Sequence, residues 1–185
     1  MKKIIVTILI GILLLSCQTS VLKSEPSDDG KVLVLGRLTM EAYNYETYKS
    51  STVNGIHNKK IEMKFKKTNS EEIIKVYTIN DLGIFYFKAT PETDYELIDL
   101  YYHVSNIDDH SWASLRKKYT DKKFTTSADG VTSLGAITWY SDPKENIFEL
   151  RVNENYDDFY NLFTKTYKKS EWIDKNWYPK ELNPE

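Results

Sequence analysis

The sequence Lys60-Ile61-Glu62-Met63-Lys64-Phe65-Lys66 alternates strictly between charged and apolar residues. Successive side chains of an extended chain point to opposite faces, so the three apolar side chains share one face and the charged ones share the other. This pattern predicts a β-strand with one buried side and one side in water. It therefore indicates a sheet that covers a hydrophobic core with one face only.

Segments on both sides of this strand are also rich in β-branched and aromatic residues, and they are separated by turn residues. The predicted strands cover residues 31–41, 60–66, 72–79, 84–88, 95–104, 133–140 and 146–152. The segments 72–79 and 84–88 flank Asn80-Asp81-Leu82-Gly83 and are predicted to form a hairpin. Seven strands joined by turns predict a mainly β protein, built as an antiparallel sandwich.

Two segments have helical features. In 157–167, Phe159, Leu162, Phe163 and Thr166 recur at helical spacing, with acidic residues in the first turn and lysines after the end, which predicts a short amphipathic helix. A second short helix is predicted over 112–119, with Asp109 or Ser111 as its N-cap. The aromatic tail that follows the first helix, 172–178, is predicted to pack back onto the sheet rather than to form a ligand cage.

The N-terminus has the composition of a secretory leader. Two lysines precede an apolar run, 4–15, and Ser16 and Cys17 follow it. About 12 residues span about 18 Å as a helix, whereas the hydrocarbon core of a bilayer is about 30 Å thick. The run therefore predicts a cleaved signal rather than a membrane span.

The segment Leu14-Leu15-Ser16-Cys17 resembles the lipobox of bacterial lipoproteins, in which the chain is cut before the cysteine and the cysteine carries the lipid. The resemblance implies a signal peptide at 1–16 and a lipidated Cys17. Several acyl chains on one cysteine give a stable membrane anchor. The expected location is the bacterial cell envelope, and Gln18 favours the outer membrane in a host that has two membranes.

The remaining chain from Cys17 has the length of one domain. Residues 17–30 are rich in Ser, Asp, Pro and Gly and are predicted to form a flexible tether, followed by the β-sandwich at 31–153 and by a helix and aromatic tail at 154–185 that pack on it. Loss of Lys2 and Lys3 with the leader leaves 23 basic against 27 acidic residues, a net charge of about −4. This charge does not favour nucleic acid as a partner, and a lone cysteine excludes an internal disulfide.

A second resemblance covers roughly 32–137. The sequence after the alternating strand is similar to carboxypeptidase regulatory-like domains, which commonly read Thr-Asp-x-x-Gly-x-Phe-x-Phe followed by Pro-Gly-x-Tyr-x-Leu. The matching positions are Asn80, Asp81, Gly83, Phe85, Phe87, Pro91, Tyr95 and Leu97, and the segments 128–131 and 134–137 are similar to the closing strand. The resemblance implies a transthyretin-like, seven-stranded Greek-key sandwich that does not catalyse and serves as an interaction or structural module.

One short segment combines groups with catalytic potential: Asp108-Asp109-His110-Ser111. It allows a metal-dependent hydrolase around His110 as an outlying hypothesis, or a cation site that uses Asp108, Asp109 and Glu92. Neighbours in sequence seldom form a catalytic triad, and a solvated turn or a helix cap explains the same residues. No catalytic residue, metal ligand or cofactor is therefore expected.

Fourteen tyrosines are the remaining signal. Aromatic rings on a β-sandwich can stack on sugars or bind a protein partner, although tyrosine also suits strands in general. The candidate contact residues are Tyr43, Tyr45, Tyr48, Tyr101 and Tyr102. The expected function is that of a non-catalytic, lipid-anchored module that binds an envelope protein, and the alternative is a module that binds carbohydrate or peptidoglycan through exposed tyrosines.

Overall fold

A computed structural model describes residues 30–44, 49–52, 61–79, 82–105, 112–142, 145, 147–153 and 155–182. Their strands in chain order are β1 Val32–Asn44, β2 Lys49–Thr52, β3 Ile61–Lys67, β4 Ile73–Tyr77, β5 Ile84–Ala89, β6 Asp94–Ser105, β7 Trp112–Lys118, β8 Lys123–Thr125, β9 Val131–Asp142, β10 Ile147–Asn153 and β11 Trp177–Pro179. One α-helix of the described residues, α1, covers Tyr156–Thr166, and a 3₁₀ turn covers Glu171–Asp174. The predicted mainly β structure with a short C-terminal helix is confirmed.

The first sheet, sheet A, is built around β1 and β9, which run parallel to each other. β5 and β2 pair with successive parts of β1, while β11 and β10 pair with successive parts of β9. The β11–β9 pair is also parallel, so sheet A is mixed, and the prediction of a purely antiparallel arrangement was wrong. Parallel strands need a long crossover, and the chain between β1 and β9 provides it by forming the second sheet.

The second sheet, sheet B, has the order β4-β3-β6, and β8 and β7 pair with successive parts of β6. All of the strand pairs within the described part of sheet B are antiparallel. Ile61, Met63 and Phe65 of β3 are buried, as their alternation predicts. The Phe65 ring stacks on Phe85 and contacts Phe87 of sheet A, with ring centroids 6.2 Å and 4.9 Å apart. The two sheets therefore pack together over one shared core.

The predicted hairpin between β4 and β5 was wrong, because the two strands belong to different sheets. β4 pairs with β3 in sheet B, whereas β5 pairs with β1 in sheet A. Within the described residues, one isolated bridge joins the two segments, in which the Ile79 amide donates to the Ile84 carbonyl at 2.6 Å. The turn residues do reverse the chain here, but the second strand finds its partner in the opposite sheet.

The segment Trp112–Lys118 is a strand, and the predicted helix there was wrong. β7 pairs with β6 from Asp99 to Ser105, and this ladder satisfies the backbone groups that a helix would have bonded internally. Seven residues are too few for their periodicity to distinguish a strand from a helix, so the pairing with β6 determines which of the two forms. The proposed caps, Asp109 and Ser111, lie outside the described residues.

Sheet A is buried on both faces near the start of β1. Even-numbered residues such as Val32 and Val34 belong to the core shared with sheet B, whereas Leu33 and Leu35 belong to a second apolar cluster. Helix α1 closes this second cluster with buried Phe159 and Phe163, as its spacing predicts, while Leu162 is half-buried and Thr166 exposed. The protein therefore has three layers, with sheet A in the middle.

The aromatic tail packs on the helix. The Trp177 ring lies 5.2 Å from that of Phe163, and its indole N–H donates to the Trp172 carbonyl at 2.9 Å. Trp172 itself is buried in the second apolar cluster. The predicted signal peptide 1–16 and the tether before Gly30 lie outside the described residues. None of the helices in the described part of the chain is long and apolar enough to span a bilayer.

Candidate functional site

The predicted contact tyrosines do not form one surface. Tyr101 and Tyr102 are neighbours on β6 and so point to opposite faces of sheet B. Tyr102 is only 3% exposed and belongs to the shared core, and this burial raises the pKa of its hydroxyl. Its ring is therefore unavailable as a surface contact. Tyr101, half-buried, lies on the outer face.

The other predicted site residues fall mainly outside the described part of the chain. Tyr43 pairs with Ser50 through the backbone of β1 and β2. Cys17, Tyr45, Tyr48 and the segment Asp108-Asp109-His110-Ser111 lie outside the described residues. Glu92 is an exposed turn residue. Within the described residues, no three His, Cys, Asp or Glu side chains are placed to hold a metal ion.

The outer face of sheet B carries a continuous chain of polar contacts across four of its strands. We call it the polar row, and its members are Arg116 of β7, Asp99 of β6, Lys64 and Glu62 of β3, and Tyr77 of β4. Cross-strand register brings them together, because Lys64 lies opposite Asp99 and Glu62 lies opposite Tyr77. The alternation of β3 places its charged residues on this face.

Asp99 is the centre of the polar row. Its carboxylate accepts two hydrogen bonds from the Arg116 guanidinium, at 3.0 and 2.7 Å, and one from Lys64 Nζ at 3.1 Å. Burial by itself raises the pKa of Asp99, but the hydrogen bonds from Arg116 and Lys64 outweigh it and the pKa is lowered. The same bond to Asp99 raises the pKa of Lys64. Asp99 is thus held as a carboxylate.

Glu62 and Tyr77 form the end of the polar row that lies at the edge strand β4. The Tyr77 hydroxyl donates to its carboxylate at 2.8 Å, and Lys64 Nζ lies 3.4 Å away. The bond from Tyr77 is the main cause that lowers the pKa of Glu62, and the same bond raises the pKa of the tyrosine. The face therefore has fixed charges and one aromatic hydroxyl at defined positions, which is the chemistry of a polar contact surface.

Strand β4 borders this face and carries exposed apolar side chains. Ile73 is 49% exposed and Tyr77 is 38% exposed. They lie on the outer side of the strand, whereas Val76 is buried in the shared core. Large exposed apolar residues beside a polar face are typical of binding surfaces in general.

An open cleft of about 460 Å³ lies between the end of β7 in sheet B and strand β10 of sheet A. It is lined by the segment 117–122 and by Glu149 and Leu150 of β10. Tyr119 in its wall is buried, and burial is the main cause that raises the pKa of its hydroxyl. Within the described residues, neither this hydroxyl nor the buried indole N–H of Trp139 forms a well-aligned hydrogen bond, although the indole lies close enough to the hydroxyl to act against the rise in its pKa. These two groups face the core, so the cleft offers a ligand mainly its charged rim.

Sequence reasoning missed most of the polar row. Glu62 and Lys64 could have been found, because the alternation of β3 already places them on the solvent side. Asp99 stands alone in the apolar segment Leu97–Tyr102, which is a signal of a buried, paired charge. Arg116 could not have been assigned, since its segment was predicted to be a helix and its pairing with β6 depends on register.

Comparison of this chain with protein-family models, with curated proteins and with solved structures finds no match.

Proposed function

We propose that this chain is a lipid-anchored bacterial envelope lipoprotein whose β domain is a non-catalytic module for binding an envelope protein. The observation that carries the proposal is Cys17, the lone cysteine, placed directly after a short apolar run that begins behind two lysines. The membrane is its first partner, through the lipid, and an envelope protein is its second. In a host with two membranes, the outer membrane is the proposed location.

The start of the fold suits an anchor that precedes it. β1 begins two residues after Gly30, and Lys31 Nζ donates to Thr90 Oγ1 at 3.2 Å. The Leu33 amide also donates to the Gly130 carbonyl at 3.1 Å. These contacts tie the start of β1 to the turns at one end of the sheets. A tether of about 13 residues has a coil length of about 20 Å, so it allows the start of β1 to lie close to the membrane.

The outer face of sheet B is the proposed contact surface. The polar row provides oriented charges, and Ile73 and Tyr77 provide exposed apolar area beside it. Protein interfaces combine such apolar anchors with a polar rim.

We also propose that the two sheets form a transthyretin-like Greek-key sandwich related to carboxypeptidase regulatory-like domains. Two turns support this proposal. Gly83 has a φ of +73°, as a glycine in the family's first phrase would require. Glu92 has a φ of +47° in the turn after Pro91, directly before Thr93 and Asp94, where that family usually has a tight glycine turn. The parallel β1–β9 pair and the extra short strands are the features that such a relationship has to accommodate.

The anchor is tested by membrane fractionation of the full chain and of a Cys17→Ala variant in a bacterial host fed labelled palmitate. The proposal expects label and membrane retention in the wild-type chain only. Membrane retention of the variant, or an unlabelled wild-type chain, would count against lipidation. Crosslinking from the intact envelope then tests the partner: the proposal expects a specific envelope protein with the wild-type chain, and less of it with Arg116→Glu.

A carbohydrate-binding module is the second candidate. Glu62 lies directly opposite Tyr77 on one side and Tyr101 on the other, so a carboxylate sits between two half-exposed aromatic rings. Sugars bind to such combinations of ring faces and acidic acceptors. Binding of the chain to purified peptidoglycan or glycans, lost in Tyr101→Ala and retained in a variant of the opposite sheet such as Tyr140→Ala, would favour this function.

A further inference from the structure

Strand β4 is an end strand of sheet B within the described residues, with β3 as its only neighbour. The Thr78 amide donates to the Ile61 carbonyl, and the Lys67 amide donates to the Glu72 carbonyl. Hydrogen-bonded and non-hydrogen-bonded pairs alternate along an antiparallel ladder. The backbone groups of 73, 75 and 77 therefore point away from β3 and offer an edge to which another strand can add.

The side chains on this edge are not those of a well-protected strand. Three large apolar side chains of the described residues are strongly exposed, and two of them, Ile73 and Tyr77, belong to β4. Edge strands are usually shielded by bulges, prolines or covering elements. Here the shielding of the outer side rests on one exposed lysine, Lys75, whose charge acts on Glu62 of the neighbouring strand β3.

The charges around Ile73 are arranged symmetrically. Glu71 lies two residues before it and Lys75 two residues after it, and all three side chains are exposed. A two-fold axis through Ile73 would place Glu71 of each copy opposite Lys75 of the other, and Ile73 opposite Ile73. Opposite charges at directly facing positions stabilise antiparallel pairs, whereas like charges destabilise them.

The other registers that keep the same faces together are less favourable. Pairing centred on Lys75 places two lysines opposite each other, and pairing centred on Ile74 places each Ile73 opposite a lysine. Within one copy, the Glu71 carboxylate lies 3.5 Å from Lys66 Nζ and is almost fully exposed, so it remains available to a second copy. The charge pattern therefore selects one register.

We propose that β4 pairs antiparallel with β4 of a second copy of this chain, with Ile73 facing Ile73 and Glu71 facing Lys75 across the axis. A few paired residues on each side make a small interface, so the dimer is weak in dilute solution and favoured where the chain is concentrated. Ile73 lies opposite Lys66, near the end of β3, at the end of the sheets where β1 begins. If the chain is anchored as proposed above, both tethers leave close to the axis.

Single cysteines placed on β4 test this pairing in the full-length Cys17→Ser chain in detergent. Facing residues of an antiparallel pair have Cα atoms about 5.5 Å apart, which suits a disulfide. We expect Ile73→Cys to form a disulfide-linked dimer under mild oxidation and Lys75→Cys and Tyr77→Cys to form little. The three variants share the same leader, so association through the leader would affect them equally. A dimer that forms best through Lys75→Cys, equal yields at all three positions, or no dimer would overturn the proposal.

Charge reversal tests the register independently of Cys17. In the Ile73→Cys background, Glu71→Lys should lower the yield of the disulfide dimer by about fivefold or more, because it opposes lysines at two facing positions. The exchange Glu71→Lys with Lys75→Glu should restore the yield. A yield that is unchanged by the single reversal, or that is not recovered by the exchange, would contradict the proposed pairing while leaving the anchor at Cys17 unaffected.

Discussion

Arg116 of β7 and Asp99 of β6 form a two-point ion pair, with Nε–Oδ1 and Nη2–Oδ2 distances of 3.0 and 2.7 Å. Arg116 lies in a segment that the sequence pattern assigned to a helix, and the ion pair exists only because β7 pairs with β6. Lys64 reaches the same carboxylate from β3. One buried acidic residue thus connects three strands of sheet B.

We expect Asp99→Asn to destabilise the protein by about 2 kcal/mol, since charged hydrogen bonds to a buried group are worth about 1.5–3 kcal/mol. The measurement is the free energy of unfolding in urea at neutral pH. Glu149→Gln is the matched control, because Glu149 pairs with Arg151 at 2.9 Å while its side chain is 53% exposed, against 6% for Asp99. An exposed pair contributes about 0–1 kcal/mol, so equal effects of the two variants would contradict this role of Asp99.

The lowered pKa of Asp99 predicts a loss of stability in acid. A carboxyl group whose pKa is lower in the folded than in the unfolded chain adds stability that is complete above the ordinary value of about 3.8 and is lost as the pH falls through the folded value. The lowered pKa of Glu62 acts in the same direction. Urea unfolding from pH 7 downwards should therefore show a steeper loss below about pH 4 in the wild-type chain than in Asp99→Asn. Parallel curves would contradict the prediction.

The three-layer arrangement predicts that α1 is an integral part of the fold. Phe163 is fully buried between sheet A and Trp177, so Phe163→Ala should cost about 3–5 kcal/mol of unfolding free energy. Leu162, half-buried on the same helix, is the control, and Leu162→Ala should cost clearly less. Thermal or urea unfolding measures both. Similar small effects would mean that the helix does not pack on sheet A.

The turn before β5 predicts a strict need for glycine at position 83. Gly83 has a φ of +73°, and a Cβ atom there would lie 2.1 Å from the Leu38 carbonyl oxygen. We expect Gly83→Ala to cost more than about 2 kcal/mol, because it adds a backbone clash to the strain of a left-handed residue. Gly30→Ala has a similar φ of +65° but no atom within 4 Å, so it isolates the strain alone and should cost about 1 kcal/mol. Equal costs would exclude the clash.

Removal of the Tyr119 hydroxyl should not destabilise the protein. This buried hydroxyl forms no well-aligned hydrogen bond within the described residues, where the Trp139 indole is its nearby polar group. An unsatisfied buried polar group costs about 1–3 kcal/mol. Tyr119→Phe removes the hydroxyl and retains the ring, so the variant should be as stable as the wild-type chain or more stable by about 1 kcal/mol. Tyr95→Phe is the control, because the Tyr95 hydroxyl accepts a bond from the Thr90 amide at 3.2 Å, and it should be destabilised. If Tyr119→Phe lost as much stability as Tyr95→Phe, the Tyr119 hydroxyl would have to form a stabilising hydrogen bond, and the prediction would be contradicted.

The order of residues within one segment was sufficient to predict which side chains are buried, where apolar residues alternate along a strand or recur at helical spacing. The buried face of β3 and the buried Phe159 and Phe163 of α1 follow directly from the order of residues. Tyr102 and Tyr101 show the limit of that reasoning, because composition marks both as candidate contacts and only the strand register decides which of them enters the core.

Pairing between distant segments was not predictable in the same way. β5 follows β4 after a short turn and yet pairs with β1, and β9 lies parallel to β1 although about 100 residues separate their starts. Both pairings depend on which strand edges are still unpaired when the two sheets pack together. The polar row could not be predicted for the same reason, since its contacts join residues from four strands.

The central claim of this account is the lipid at Cys17, and the most direct measurement is the intact mass of the full chain after expression in a bacterial host and extraction from its membranes. We expect a mature chain that begins at Cys17 and carries the added mass of two or three acyl chains. A chain that retains Met1–Ser16, or that begins elsewhere and carries no lipid, would contradict the claim.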